Sequence, residues 1–274
     1  MTRLFEDGFE LGNLSLWNNT IIANGTVTVD TLHPYNGSYA AHFVTNPTLL
    51  ATNALAVKTI VASEVYVRAY ILVNQGIAQM GTWDRFYFIN IMATDGSYIA
   101  GVGLRREGTA PSVPLRWALW SRGLSTHSAF GANIDQTATP QVHCVELHYK
   151  KATGLYEVFV DGVLMITVTA PAVAPAVDVD VGAVQFGIQK SGPTGQGYDP
   201  TGQYTIEVFG DDFVIADSYI GPIVVPTNPK LTVNSSPELN VPVYVDDQLV
   251  GSTPIIVELL SGTHTVRVEK EVQR

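Results

Sequence analysis

The residues best suited to ligand contact lie around the alternating segment Leu115–Trp120. In an extended strand, the core-type residue Trp117 points to one side, while Arg116 and Trp120 point to the other, followed by Arg122. An exposed tryptophan beside arginines can stack on a sugar ring or anchor a protein contact. We therefore predict ligand or subunit contact for Arg116, Trp120 and Arg122, with plain packing as the alternative.

Two further aromatic residues are candidates for the same role. Trp83 stands at the start of a strand in the run Trp83-Asp84-Arg85, and Tyr198 lies in the long loop 192–202. Loops of this length in compact domains are usually functional or mobile. Because no lysine or helix start follows the glycines of this loop, a phosphate-binding loop is excluded.

The residue types used in common catalytic sites occur without a supporting pattern. A retaining glycosidase needs two carboxylates about 5 Å apart, and we interpret Glu146 and Glu157 as solvent-facing residues of a hairpin. His143 and His148 do not have the spacing of a metal pair. Cys144 alternates with apolar residues as a small buried hydrophobe does. These residues favour a protein that is not an enzyme, with a glycoside hydrolase or lyase as the least favoured alternative.

Composition excludes several other functions. The chain has 274 residues, 15 Lys and Arg against 25 Asp and Glu, a net charge of −10 and a single cysteine. No basic run suited to nucleic acid is present, and one cysteine cannot form an internal disulfide. No apolar run approaches the roughly 20 residues of a membrane span, and no secretory signal is seen after Met1. We expect no nucleic-acid partner and no membrane insertion.

The periodicity predicts an all-β chain. Short alternating segments recur between clusters of Gly, Pro, Asn and Asp, and Asp161-Gly162 is a strong hairpin signal. This pattern predicts an antiparallel jelly-roll β-sandwich. The predicted strands are Val65–Val73, Arg85–Ala93, Tyr98–Leu104, Leu115–Trp120, Val142–Tyr149, Leu155–Val160, Val163–Val168, Ala183–Ile188, Tyr204–Val208 and Phe213–Asp217.

A change in composition divides the chain. Residues 220–230 contain three prolines, which stiffen a segment and remove backbone donors. We predict a jelly-roll domain over residues 1–219, a proline-rich linker over 220–230, and a small C-terminal β-sandwich domain over 231–274.

Four motifs in the first domain resemble the concanavalin A-like and LamG-like jelly-roll modules, which include carbohydrate-binding modules. The motifs lie in the order that these modules have, and the resemblance implies their fold. The motifs are Phe5-Glu6-Asp7-Gly8-Phe9-Glu10 with Trp17, His33-Pro34-Tyr35-Asn36-Gly37-Ser38-Tyr39-Ala40, Val145-Glu146-Leu147-His148-Tyr149 with Val160-Asp161-Gly162, and Gly210-Asp211-Asp212-Phe213-Val214-Ile215.

The C-terminal residues are similar to a PEGA domain. The similarity is carried by Val243-Tyr244-Val245-Asp246-Asp247, Gly251-Ser252-Thr253-Pro254 and Leu260-Ser261-Gly262-Thr263-His264-Thr265-Val266. Glu238-Leu239-Asn240 departs from the usual Gly-Ala. The resemblance implies a surface or extracellular adhesive module that is not catalytic.

The jelly-roll resemblance also implies a structural calcium site. In such modules the first and last strands pair, which brings carboxylates of both ends together, and calcium prefers six to eight oxygen ligands. The alternative is that these acids are solvated or cap turns. The candidate ligands are Asp7, Glu10, Asn36, Ser38, Asp211 and Asp212.

Extracellular-type domains on a chain without a visible signal favour a structural or adhesive surface protein, most simply a component of a phage or virus particle. We expect it to contact other virion subunits as a homo-oligomer or lattice, on the virion surface. A carbohydrate-binding module cut from a secreted protein, located outside the cell and binding polysaccharide, is the alternative.

Overall fold

The computed structural model describes most of the chain and divides it into two compact units, Met1–Pro222 and Ile223–Arg274. Among the described residues, no helix is long and apolar enough to cross a membrane. The described residues are 1–45, 52–75, 80, 85–106, 115–121, 129–134, 141–169, 179–190, 204–223, 230–235, 240–258 and 265–269.

The first unit consists of two antiparallel sheets and one short 3-10 turn, Lys151–Thr153. Its strands are β1 (Arg3–Asp7), β2 (Asn19–Ala23), β3 (Gly25–Asp30), β4 (Ala40–Thr45), β5 (Thr52–Ala62), β6 (Glu64–Gln75), β7 (Arg85–Ala93), β8 (Tyr98–Arg106), β9 (Leu115–Ser121), β10 (Ala129–Ile134), β11 (Val142–Lys150), β12 (Leu155–Val160), β13 (Val163–Thr169), β14 (Val181–Lys190) and β15 (Glu207–Ala216).

The eight-stranded sheet has the order β13-β12-β11-β6-β15-β4-β3, and β1 also pairs with β15. The seven-stranded sheet has the order β10-β9-β8-β7-β14-β5-β2. Neighbours distant in sequence, such as β6 and β15, pair within one sheet, as in a jelly roll. The predicted all-β sandwich is confirmed.

A single apolar core fills the space between the two sheets. The ring of Trp17 lies 4.8 Å from that of Phe213 on β15 and 6.2 Å from that of Phe186 on β14, so it contacts residues of both sheets. Its indole Nε1 donates to the Asp7 carboxylate at 2.8 Å. Because a buried indole N–H needs an acceptor, this bond anchors β1 to the core.

Two local predictions have different outcomes. Asp161 and Gly162 both have positive φ, 52° and 80°, and join β12 to β13 as the predicted two-residue turn. The predicted strands Tyr204–Val208 and Phe213–Asp217, however, are wrong as separate elements. The end of the first and most of the second lie in one strand, β15, whose register shifts between Asp211 and Val214 when it pairs with β6. A β-bulge, not a turn, accommodates the acidic pair.

The second unit contains two small antiparallel sheets. One pairs β16 with β19, and the other has the order β18-β17-β20. These strands are β16 (Lys230–Val233), β17 (Pro242–Val245), β18 (Gln248–Ser252), β19 (Ile255–Glu258) and β20 (Val266–Val268).

Candidate functional site

The charged residues are divided unequally between the two large sheets. Within its described strands, the seven-stranded sheet carries six basic residues and no acid, whereas the eight-stranded sheet carries nine acids and three basic residues. A chain with a net charge of −10 therefore has one sheet with a strong basic excess. The six basic residues are Lys58, Arg85, Arg105, Arg106, Arg116 and Lys190.

Three of these residues form a row across the seven-stranded sheet, which we call the arginine row. Arg85 on β7 pairs with Arg105 on β8, and Arg105 pairs with Arg116 on β9. Their neighbours Phe86, Leu104, Leu115 and Trp117 are buried in the core, so the three half-buried arginines point to the outer face. Like charges placed opposite one another destabilise a sheet. This register is therefore suited to an anion that lies over it.

A second row of polar and aromatic residues lies beside the arginine row. Asn90 pairs with Gly101, and Gly101 pairs with Trp120. The Tyr98 hydroxyl donates to Asn90 Oδ1 at 2.9 Å, and the rings of Tyr98 and Trp120 are 4.2 Å apart. Only glycine permits this arrangement at position 101, because a Cβ there would lie 1.9 Å from the Tyr98 hydroxyl.

The second row contains a buried side-chain amide with one donor group that has no hydrogen-bond partner among the described residues. Burial raises the pKa of Tyr98 well above its usual range, so its hydroxyl keeps the proton that it donates to Asn90. The Asn90 side chain is fully buried, and among the described residues its Nδ2 has no hydrogen-bond partner. Such a group costs about 1–3 kcal/mol until an acceptor arrives.

Between the two rows, the face carries one tyrosine and two small residues. Tyr87 pairs with Gly103, which pairs with Ala118. On β14, Gln185 lies opposite Asn90 and extends the second row. Burial raises the pKa of Tyr87, and the nearby Arg85 lowers it in part. Arginine, amide, phenol and indole groups side by side can recognise a ligand that has both carboxylates and sugar rings.

The residues predicted to contact a ligand fall in two groups. Arg116 and Trp120 lie half-buried on the face just described, opposite the core residue Trp117. Arg122, Trp83 and Tyr198 lie outside the described residues. Ligand contact by these five residues stays a prediction.

Sequence reasoning did not identify Arg85, Arg105, Asn90 and Tyr98 as members of this site. Each lies in a segment that was predicted to be a strand or directly beside one. The sequence indicates only, through the alternation within each of three strands, that these residues can lie on the same face. Residues that share a face form a site only if the strand register places them side by side, so the register must be known first.

The predicted calcium ligands near the chain start already bond to backbone amides. Asp7 accepts from Phe9 N at 2.7 Å, in addition to Trp17, and Glu10 accepts from Ser38 N and Tyr39 N. Backbone N–H groups therefore occupy carboxylate oxygens that calcium would need, and they stabilise the turn at Ser38.

The other predicted ligands lie at the bulge of β15. Asp211 accepts from Tyr35 N and Asn36 N, at 2.8 and 3.0 Å, and burial raises its pKa to about 6. Asp212 Oδ2 is buried without a hydrogen-bond partner among the described residues, which leaves one oxygen for a cation. No group of three or more His, Cys, Asp or Glu side chains in the described parts of the chain is arranged to hold a metal. Calcium binding stays a prediction.

The interpretation of Glu146 as a solvent-facing residue is wrong. Its side chain is 1% exposed, because residues 219–221 cross the outer face of the eight-stranded sheet. The Glu146 carboxylate accepts from Ile220 N and Gly221 N, both at 2.9 Å, while Arg68 donates to Gly221 O at 3.0 Å. Glu146 and Arg68 therefore hold the backbone of residues 220 and 221 and are not available for catalysis.

The histidines and the cysteine have structural surroundings. His148 lies between Glu157 and Glu64, at 2.8 and 3.1 Å, and His42 lies between Asp30 and Glu207 in the same manner.

Cys144 is buried, and burial raises the pKa of its thiol to about 11. Since the thiolate is the reactive form, this thiol is a poor nucleophile.

Comparisons with known proteins find a similar family for the C-terminal residues and similar solved structures for most of the chain. Residues 228–272 match the PEGA domain, and no curated protein matches the sequence. Among solved structures, the cellulose-induced protein Cip1 is 21% identical, with a TM-score of 0.52, over 80% of this chain and 99% of its own. An endo-β-1,4-glucuronan lyase from the fungus Trichoderma reesei is 14% identical, with a TM-score of 0.55, over 79% of this chain and 96% of its own.

These likenesses establish the β-sandwich fold and correct one expectation. The lack of a supporting catalytic pattern in the sequence predicts a protein that is not an enzyme. That expectation is contradicted, because a polysaccharide lyase has the same fold over 79% of this chain. The comparisons also give no support to a virion component, and they favour the carbohydrate-binding alternative.

Proposed function

We propose that the outer face of the seven-stranded sheet binds an acidic polysaccharide. The observation that carries this proposal is the arginine row, Arg85, Arg105 and Arg116, on a sheet whose described strands contain no acid. Arginine binds carboxylates through two parallel hydrogen bonds. Uronic acids present one carboxylate per sugar, so a polyuronate would offer a carboxylate to each part of the row.

The second row favours a polysaccharide over other anions. Trp120 and Tyr98 offer aromatic surface to sugar rings. Nucleic acid would need more extended positive charge than this chain with a net charge of −10 provides. The glucuronan lyase with the same fold acts, by its name, on such a polymer.

A second candidate function, eliminative cleavage of the bound polymer, is favoured by the two tyrosines on this face. The reaction removes the proton from the carbon beside the carboxylate, breaks the bond to the leaving glycosidic oxygen and forms a carbon–carbon double bond. Arginines would neutralise the carboxylate. Tyr87, which lies on the same face as Arg85 and Arg105, is the base candidate, although burial raises its pKa more than these arginines lower it, and the protonated Tyr98 is the candidate acid for the leaving oxygen.

Binding is tested by calorimetry with polyglucuronate and with the same polymer after reduction of its carboxyl groups. The wild-type protein should bind only the acidic polymer, and the triple variant Arg85→Gln, Arg105→Gln, Arg116→Gln should lose at least about a hundredfold in affinity. Arg3→Gln on the eight-stranded sheet is the matched control. Equal binding of both polymers, or an unchanged triple variant, would refute the proposal.

Cleavage is tested separately, by the ultraviolet absorbance of the unsaturated product. Steady release of absorbance that Tyr98→Phe abolishes without loss of binding would establish the lyase. Binding without any absorbance change would leave a binding module. The setting on a virion stays a prediction, and mass spectrometry of purified particles checks it.

A further inference from the structure

Two tyrosines form a close face-to-face pair on the outer face of the eight-stranded sheet. Tyr70 lies on β6 between the core residues Ala69 and Ile71, so its side chain points away from the core. The ring of Tyr35 covers it, with 3.7 Å between the ring centroids and 12° between the ring planes. Aromatic pairs usually have centroids about 4.5–7 Å apart. The two rings therefore overlap more closely than packing alone favours.

The backbone that carries Tyr35 is held in place by two carboxylates. Asp211, the cross-strand partner of Tyr70 on β15, accepts from the backbone N–H of Tyr35 at 2.8 Å and from that of the next residue at 3.0 Å. Glu10 accepts from Ser38 N at 2.9 Å, a few residues further along the chain. The fold thus sets the position of the Tyr35 ring over Tyr70.

This geometry suits the oxidative coupling of two phenols. A one-electron oxidant takes one electron from each phenol, and each hydroxyl releases its proton to solvent. The unpaired electron of each phenoxyl radical is shared with the ring carbons beside the C–O bond, in orbitals perpendicular to the ring. Face-to-face rings direct these orbitals at one another, so a carbon–carbon bond can form between the rings. The hydrogen on each bonded carbon then moves to oxygen, which restores both hydroxyls and both aromatic rings.

We infer that Tyr35 and Tyr70 are an oxidative cross-linking site, at which two one-electron oxidations form a dityrosine that fastens the segment around Tyr35 to β6. The product lacks two hydrogens, which leave as two electrons to the oxidant and two protons to solvent. The cross-link joins residues 35 positions apart in the sequence. Because it restricts the unfolded chain as a disulfide does, it should raise the melting temperature.

Three other tyrosine pairs among the described residues provide an internal comparison. None of them is a close parallel stack. Tyr219 is 44% exposed, whereas Tyr35 is half-buried and Tyr70 is buried, so solvent exposure and stacking geometry predict different cross-links. The three pairs are Tyr149–Tyr156 (5.3 Å, 33°), Tyr87–Tyr98 (6.4 Å, 61°) and Tyr66–Tyr219 (6.5 Å, 77°).

The test is photo-oxidation of the protein by ruthenium tris-bipyridine with persulfate, a one-electron oxidant, followed by gel filtration to remove chains joined to one another. The wild-type chain should become two hydrogens lighter, show dityrosine fluorescence and yield a cross-linked peptide pair that contains Tyr35 and Tyr70. Unfolding in urea before illumination should lower the yield at least about tenfold, because the two rings are no longer held together.

Variants assign the cross-link. Tyr35→Phe keeps a stacked ring but forms no phenoxyl radical at that position, so it should abolish the fluorescence, and Tyr70→Phe gives the same comparison if the first variant folds poorly. Tyr219→Phe is the matched control and should leave the yield unchanged.

Two kinds of result would overturn the inference. One is a cross-link at other residues, such as a pair that contains Tyr219, or a thioether between Tyr70 and Cys144, its cross-strand neighbour on β11. The other is a yield that is the same in folded and unfolded protein, or no cross-link at all.

Discussion

The outer faces of the two large sheets use charge in opposite ways. On the eight-stranded sheet, charged groups have partners within the chain: Glu146 holds the backbone at Ile220, and His148 lies between two carboxylates. On the seven-stranded sheet, three arginines face one another across β7, β8 and β9. The first face pairs acids with bases and backbone groups, whereas the second face places like charges opposite one another on neighbouring strands.

This difference separates residues that maintain the fold from residues suited to a ligand. A buried charge with several hydrogen bonds stabilises a particular backbone path, so its loss should appear in the free energy of unfolding. A row of like charges contributes little to that free energy, so its loss should appear in ligand affinity. Variants of the eight-stranded face should change the free energy of unfolding and leave ligand affinity unchanged. Variants of the seven-stranded face should change ligand affinity and leave the free energy of unfolding unchanged.

The largest effect on stability is expected for Glu146→Ala. Two backbone amides, Ile220 N and Gly221 N, lose their acceptor, and each unsatisfied buried donor costs about 1–3 kcal/mol. We expect a loss of about 3 kcal/mol in the free energy of unfolding, measured in urea. Glu6→Ala, an exposed acid on the same sheet, should change stability by less than about 0.5 kcal/mol.

The affinity of the Glu146→Ala variant for ligand is the complementary measurement. Folded Glu146→Ala protein should bind acidic polysaccharide as the wild type does. A loss of affinity would mean that the two faces are coupled, and the distinction between them would not hold.

The next effect is a pH dependence from Asp211. Burial raises its folded-state pKa to about 6, above the value of about 3.9 in an unfolded chain. As the pH falls, the folded state binds this proton first. The contribution of Asp211 to stability therefore increases from pH 7 to about pH 4, by on the order of 2 kcal/mol.

Urea unfolding at several pH values isolates this contribution. Asp211→Asn should flatten the rise in stability between pH 7 and 4 relative to the wild type. Asp217→Asn should keep it, because hydrogen bonding lowers the pKa of Asp217 and its own effect has the opposite sign. An unchanged slope in Asp211→Asn would contradict the assignment.

On the basic face, Trp120→Ala should weaken binding of acidic polysaccharide about fivefold, since an aromatic contact with a sugar ring is worth about 1 kcal/mol. Tyr219→Ala removes an exposed aromatic side chain over the other sheet and should leave affinity unchanged. If both variants weaken binding equally, the ligand is not confined to the seven-stranded sheet.

The sequence predicts which side chains of β9 point to this face, but it does not predict which residues of the neighbouring strands lie beside them. Alternation placed Arg116 and Trp120 opposite Trp117, as the structure has them. It did not indicate that Arg105 lies beside Arg116, because Arg105-Arg106 offers two candidates for the outer face and the strand register decides between them. Pairing between strands is a property of the whole sheet and is not written in any one segment.

The error at Glu146 has a related cause. Its parity was right, since Cys144, Glu146 and His148 share a face, and a strand face that carries an acid and a histidine would normally be solvated. The segment that covers it, at Ile220, is 74 residues away in the sequence. Local alternation identifies the side of a sheet, but it cannot identify what lies over that side.

The smallest expected effect concerns the predicted calcium site. Since backbone amides already bond to Asp211 and Glu10, calcium would add mainly the unpartnered Asp212 Oδ2 as a ligand. We expect about 1 kcal/mol of stabilisation at a tenfold excess over the dissociation constant, visible as a rise in melting temperature over chelator-treated protein. Asp212→Asn should remove that rise without straining the backbone, because asparagine also tolerates the φ of 47° at this position. If calcium and chelator give the same melting temperature, the acids of the eight-stranded sheet hold backbone amides alone, and the contrast between a face that serves the fold and a face that serves a ligand becomes sharper.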